Sequence, residues 1–276
     1  MNIPFDPEIA ERFKNLGHIN GTGPEGGYSF DIDISVPYIA TAIHAGHRVR
    51  KELLPLMSIS EEARLFEEDP ATDTMIRGCR STVWALDSRA EYDLNRPSEL
   101  ALPLSPERFW GVSVYKEQPD EKMNMASLEK YEAFYLFMGT CITVLLERFG
   151  HCIIYDIHSY NISRQVEKGI ANPPVFNLGT ALLDRKRWDK AIKRWLECLG
   201  DISIPGIEVS AAENLVFFGK GELCRRLSAW NENILVLPTE VSKIYMDEHK
   251  GVIYPEIVEA IKEGLASAVA IHSFQS

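Results

Sequence analysis

Residues 127–149, SLEKYEAFYLFMGTCITVLLERF, repeat large apolar side chains at the spacing of one helical face: Leu128, Tyr131, Phe134, Tyr135, Met138, Ile142, Leu145, Leu146 and Phe149. Ser127 is placed to cap the start and Gly150 to end the run. HCIIYDIH follows at once, a short β-branched apolar run that reads as a buried strand. A helix this apolar, delivered directly into such a strand, needs a sheet to lie on. The alternation recurs in VFNL, the helical LLDRKRWDKAIKRWLECLG and the strand NILVLPTE, and a last amphipathic helix begins near Pro255. Upstream, the GTGPEGG turn at 21–27 precedes an extended YSFDIDISVPYIA, STVWALD (81–87) has strand character, and 47–66 reads as helix broken at Pro55. This pattern predicts an α/β fold with a largely parallel sheet covered on both faces. No repeat or low-complexity linker interrupts it, so residues 1–276 are expected to form one α/β domain. The proline-rich 97–126 region is its surface excursion.

The formal net charge of −11, with no basic tract, argues against a nucleic-acid partner. No apolar run approaches the roughly 20 residues of a membrane helix, and MNIPFDPEIAERF lacks the features of a signal peptide. The expected setting is the cytoplasm, away from membranes, with a small-molecule or protein partner. Cysteines 79, 141, 152, 198 and 224 form no CxxC pair and are odd in number, so free thiols, several of them in the core, are expected.

Ligands of open α/β sheets bind at the carboxyl ends of strands. His158 (in DIHS), Glu240 (in ILVLPTE) and His44 (in TAIHAGH) all fall at such ends. Two strand-end histidines near acids point to a metal, whose third ligand would be a carboxylate or another His. The stretch EEARLFEEDPATD offers Glu68 and Asp69, and the proline after Asp69 pushes that residue out of helical geometry. SRAEYDLNRP (88–97) gathers Arg89, Asp93, Asn95 and Arg96. Its arginines suit two-point binding of a carboxylate, and Asp93 could orient one of them or a ligand. Glu240 is the candidate general base, whereas Ser159 lacks the GxSxG elbow of a nucleophile.

Taken in order, IHAG (43–46), EEDPATD (67–73), SRAEYDLNRP (88–97), DIHS (156–159) and TEVSKIYMDE (239–248) resemble the elements of the N-formylglutamate amidohydrolase family. That family is similar in turn to the zinc carboxypeptidases. The resemblance spans roughly residues 30–250 and implies a three-layer α/β/α sandwich of phosphorylase/hydrolase type with a central mixed, largely parallel sheet. It implies Zn2+ held by His44, Asp69 and His158, with Glu68 as the rival acid, and Asp156 as an acid behind the ligands. Asn95 and Arg96, helped by Arg89, would grip a substrate carboxylate, and Glu240 would be the general acid/base. The implied substrate is a small anionic N-acyl amino acid such as N-formyl-L-glutamate. Peptide or γ-glutamyl C-termini are the carboxypeptidase-like alternative, and a catalytically silent binding protein is the third. The chain departs from the pattern at HRVRK after IHAG and at Lys243, where an arginine is usual. His47 stands at the spacing where carboxypeptidases place a glutamate ligand, so a His44/His47/His158 set is the variant reading.

Overall fold

Nine consecutive residues, Cys152–Tyr160, form the strand β5 at the middle of the molecule, and every one of them is buried. The structure is a computed structural model that describes residues 3–274. In chain order the helices are α1 (Pro7–Leu16), α2 (Glu61–Glu67), α3 (Thr72–Ile76), α4 (Glu121–Phe149), α5 (Ile162–Glu167), α6 (Arg185–Gly200), α7 (Glu222–Trp230) and α8 (Pro255–Ser273). The other strands are β1 (His18–Thr22), β2 (Tyr28–Asp33), β3 (Tyr38–Ala42), β4 (Thr82–Ala85), β6 (Phe176–Leu178), β7 (Ala211–Glu213) and β8 (Ile234–Ser242), with a small ribbon of β9 (Met246–Asp247) and β10 (Val252–Ile253). Among the described residues the main sheet has eight strands in the order β1-β2-β4-β3-β5-β8-β6-β7. Its centre, β4-β3-β5-β8, is parallel; β1, β2 and β6 join antiparallel, so the sheet is mixed but mostly parallel.

Side chains alternate between the two faces of a strand, and the core divides accordingly. Cys152 and Ile154 of β5, with Ile234 and Val236 of β8, pack under α1, α4 and α7 through residues such as Phe13, Phe134, Met138 and Leu227. Ile153, Tyr155, Ile157, Leu235 and Leu237 face the opposite layer, where Trp195 of α6 and Ile261 and Leu265 of α8 close the core. The result is the three-layer α/β/α arrangement expected from the sequence.

Some elements differ from the sequence reading. The long helix starts seven residues earlier, at Glu121, capped by the Asp120 carboxylate; Ser127 lies inside it, where its hydroxyl accepts from Arg50 Nη2 at 2.7 Å. Residues 47–60 form no α-helix. Arg48 instead bridges Asp87, its N–H donating to Leu86 and its carbonyl accepting from Ser88, and only Leu54–Leu56 (a 3-10 turn) and α2 are helical. The segment between 97 and 120 carries two 3-10 turns. It buries Phe109, Val114 and Tyr115 against Leu53 and Ala90 in a small core of its own. All five cysteines are free, and Cys141, Cys152 and Cys224 are buried. No helix among the described residues is long and apolar enough to cross a membrane.

Candidate functional site

On the α4/α7 side of the sheet, the apolar positions Cys152 and Ile154 are continued along β5 by Asp156 and His158. This face therefore changes from core to chemistry within one strand. Glu240 is the register partner of His158 on β8, and Thr41 of β3 is the partner of Asp156. His44 follows the end of β3, and its carbonyl accepts from the Asp69 N–H at 3.0 Å. That bond ties the loop after α2 to the strand end. The loop leaves helical geometry at Glu68, whose ψ is 170°, and Ala71 takes a left-handed φ of 66° to enter α3.

These elements bring His44, Asp69 and His158 together. One donor atom from each lies within 4.8 Å of the others, and all three residues are buried. His158 Nδ1 is 3.1 Å from both His44 Nδ1 and Asp69 Oδ2. The far nitrogens are held by acids: His44 Nε2 lies 2.8 Å from Asp93 Oδ1 and His158 Nε2 lies 3.0 Å from Asp156 Oδ2. Asp156 is itself fixed by the Thr41 hydroxyl at 2.8 Å. A carboxylate on Nε2 favours the tautomer with its proton there, which leaves the Nδ1 lone pairs facing each other and Asp69. Three acceptors converging in a buried space repel one another unless a cation sits among them. A proton is one such cation: burial opposes charging His158, but Asp156 and Asp69 outweigh it and raise its pKa well above the ordinary value. A divalent metal is the other, and two imidazole nitrogens with a carboxylate oxygen form a suitable donor set.

Burial would raise the Asp69 carboxyl, but hydrogen bonds from His158 and His44 hold it below the usual range. Asp93 is likewise held down, against burial, by Arg89 and His44. Glu240 moves the other way. Burial, reinforced by Asp69 and Asp156 and opposed by His158, pushes it up to about 8.

A cavity of about 340 Å³ opens onto this cluster, lined by His44, Asp69, Asp156, His158 and Glu240 together with Arg89 and Asn95. Arg89 stacks 4.1 Å from the Trp110 ring centroid. Its Nη2 and Nε reach Asp93 Oδ2 at 2.7 and 3.3 Å, and its Nη1 reaches the Glu67 carbonyl at 3.4 Å. Asn95 accepts the Leu223 N–H at the start of α7 at 3.1 Å. Arg96 is not among the lining residues; it lies 5.7 Å from the Trp110 centroid, and its buried Nε makes no hydrogen bond but pairs with Asp93 Oδ2 at 3.6 Å. Glu68 and His47 lie apart from the triad and bond to each other. The Glu68 carboxylate also takes the Ser88 hydroxyl, and His47 contacts Arg64 Nη2 at 3.0 Å.

Several cavity residues escaped the sequence reading. Asn161 follows DIHSY and was open to the same strand-end argument as His158, and Gln165 lies one turn of chain further on. Trp110 and Phe217 come from loops with no pattern of their own. Lys243 is buried, with its ammonium donating to the Phe66 and Glu68 carbonyls at 2.8 and 2.9 Å, so it pins the loop that carries Asp69. Burial lowers its pKa to about 8 against the pull of Asp69.

Among solved structures, the N-formylglutamate amidohydrolase from Ralstonia eutropha JMP134 is similar with a TM-score of 0.68 and 17% identity, over 90% of this chain and 97% of that one. A gene product of Agrobacterium tumefaciens gives 0.62 and 17%, over 93% and 97%. These likenesses bear on the fold. A metallo-carboxypeptidase from Burkholderia cenocepacia gives 0.42 and 14%, over 99% and 70%, too loose a likeness to carry an argument. No curated protein matches the chain. The family model for N-formylglutamate amidohydrolase matches residues 36–246, a span that takes in His44, Asp69, His158 and Glu240 and covers most of the sequence. By that match, the chain belongs to the N-formylglutamate amidohydrolase family.

Proposed function

We propose that the protein is a metal-dependent amidohydrolase that cleaves the amide of a small anionic N-acyl amino acid, with N-formyl-L-glutamate as the first compound to test. The observation that carries this reading is the convergence of His44, Asp69 and His158 beside Glu240 in one cavity. The three would hold Zn2+. Held there, zinc would supply Lewis acidity for attack on the acyl carbonyl.

The remaining steps belong to the chain. Glu240, beside the triad on the neighbouring strand, takes the proton of the attacking water and returns it to the leaving amine. Asp93 and Asp156 keep both imidazoles turned with Nδ1 inward. Asn95, which lines the cavity, and the neighbouring Arg96 receive the substrate carboxylate, Arg96 being held by a long ion pair of its Nε with Asp93 Oδ2 at 3.6 Å. Arg89 sustains the charge on Asp93 and sets the edge of the cavity at Trp110. Holding the carboxylate away from the triad fixes which bond faces Glu240.

The test has two parts. Protein purified without added zinc is analysed for bound metal, then assayed with N-formyl-L-glutamate, other N-acyl amino acids and short peptides with free C-termini. Stoichiometric metal with release of formate or another acyl group is expected. Preference for the peptides would move the assignment to a carboxypeptidase-like hydrolase. Zinc-loaded protein inert toward every compound would overturn the proposal in favour of a binding role.

A further inference from the structure

Besides its histidines, the cavity is lined by four basic side chains, Arg89, Arg164, Lys220 and Lys243. Three are committed: Arg89 to Asp93 and the Glu67 carbonyl, Arg164 to the Glu67 carboxylate, and Lys243 to two backbone carbonyls. Lys220 has neither an ion pair nor a hydrogen bond among the described residues, and its ammonium lies 5.7 Å from the Phe218 ring centroid. It is exposed and so stands on the open side of the cavity.

Exposed lysines are ordinary on a protein surface; this one is set apart by the backbone that carries it. The loop from β7 to α7 lines the cavity from Val216 to Gly221 and is tied along its length. The buried Asn177 of β6 accepts the Leu215 and Val216 N–H groups on Oδ1, both at 2.9 Å, and donates Nδ2 to the Phe217 carbonyl at 2.8 Å. The Ala181 N–H donates to the Phe218 carbonyl at 2.9 Å. At the far end, Glu222 donates its N–H to the Asn95 carbonyl at 3.0 Å, and Leu223 donates to Asn95 Oδ1 at 3.1 Å. Gly221 fits against the same amide, where a Cβ would lie 2.2 Å from Oδ1. Lys220 is therefore anchored one residue from the glycine that touches Asn95. The bond from Leu223 also orients the Asn95 amide, leaving Nδ2 as a side-chain donor with no partner among the described residues.

We infer that Lys220 is a specificity-determining residue that receives a second carboxylate of the substrate, while Asn95 and Arg96 receive the first. Lys220 and Asn95 are joined through one short stretch of backbone, so they suit a compact diacid whose carboxylates are only a few bonds apart. The substrate class is an N-acyl amino acid with an acidic side chain. A neutral side chain forgoes the pair with Lys220, and a basic one is repelled by it. Glu67, Asp69, Asp156 and Glu240 line the same cavity, and a cation at its open side offsets their repulsion of a dianion. This deepens the amidohydrolase reading and rests on it for the placement of the scissile bond.

N-formyl-L-glutamate and N-formyl-L-glutamine are near-isosteric and differ in the second carboxylate. Affinities are measured by calorimetry on zinc-loaded Glu240→Gln protein, where turnover does not interfere, with and without a substitution at Lys220. Formate release is measured on the unaltered protein. At low salt, N-formyl-L-glutamate is expected to bind about fivefold or more tightly than N-formyl-L-glutamine. The ratio should shrink toward one as salt is raised to about 1 M, because an exposed pair is screened. Lys220→Met should bring the ratio near one at low salt, and Lys220→Glu should invert it. The side chain has no partner to lose, so both variants are expected to melt with the parent protein. Equal binding of the two compounds by the parent, a preference that survives Lys220→Met, or a preference indifferent to salt overturns the inference. A preference that depends on Lys220, without formate release, would overturn the hydrolase reading and leave the subsite standing. Formate release with no such preference would do the reverse.

Discussion

Asp93 and Asp156 do the same work on different histidines: each holds Nε2 so that Nδ1 turns into the triad. Replacing Asp156 by Asn keeps an acceptor for the ring but removes the charge and disturbs the bond from Thr41. Such outer partners typically tune metal affinity by about 10–100-fold, and Asp156→Asn is expected to weaken zinc binding by that factor in a chelator competition. Thr41→Val, one bond further out, should weaken it less. Glu240 is a different case because it takes no part in the triad and stands on the neighbouring strand. Glu240→Gln should lower turnover by about 10²–10⁴-fold while the protein retains stoichiometric metal. Unchanged turnover would remove Glu240 from the mechanism.

At the scale of elements, what the sequence revealed depended on whether a segment's shape came from its own pattern. α4 and β5 were legible because helical spacing and a β-branched run each match burial on the sheet. Residues 47–60 were not, because their course is set by a distant partner. The Arg48–Asp87 bridge overrides local helix propensity, and Gly46 makes the approach possible, since a Cβ there would lie 2.2 Å from the Asp87 carbonyl oxygen. Gly46→Ala is accordingly expected to cost about 1–3 kcal/mol in urea unfolding. The loop bearing Asp69 was half legible. Its proline signalled the departure from helix, but nothing local showed that Lys243 would pin it from the far end of β8. Lys243→Met leaves the Glu68 carbonyl without that donor in a buried setting. It should destabilise the fold by about 1–3 kcal/mol and weaken metal binding along with it.

The whole molecule assembles the site through strand order, the property that local patterns carry least. Strands β3, β5 and β8 are distant in sequence but adjacent and parallel in the sheet, so His44, His158 and Glu240 arrive side by side at its carboxyl edge. The strand-end rule located the candidates one by one, and the topology brought them together. The opposite face of β5 carries a polar tie that holds the layers instead of a site. Tyr155 donates to His272 Nδ1 at 2.6 Å, and His272 Nε2 donates to the Ala191 carbonyl at 2.9 Å, joining β5, α8 and α6. Both ring nitrogens are satisfied in the neutral form, and burial lowers the His272 pKa to about 4. A depressed histidine contributes stability that is fully present above its unfolded pKa of about 6.5 and is lost as pH falls toward its folded value, because the unfolded chain takes up the proton first. The loss should reach about 2 kcal/mol by pH 5. Urea unfolding of the unaltered protein and of His272→Gln, both with chelator present so that metal release does not contribute, should show the unaltered protein losing that much more between pH 7 and pH 5. Parallel pH dependence in the two proteins would show that His272 does not carry the effect.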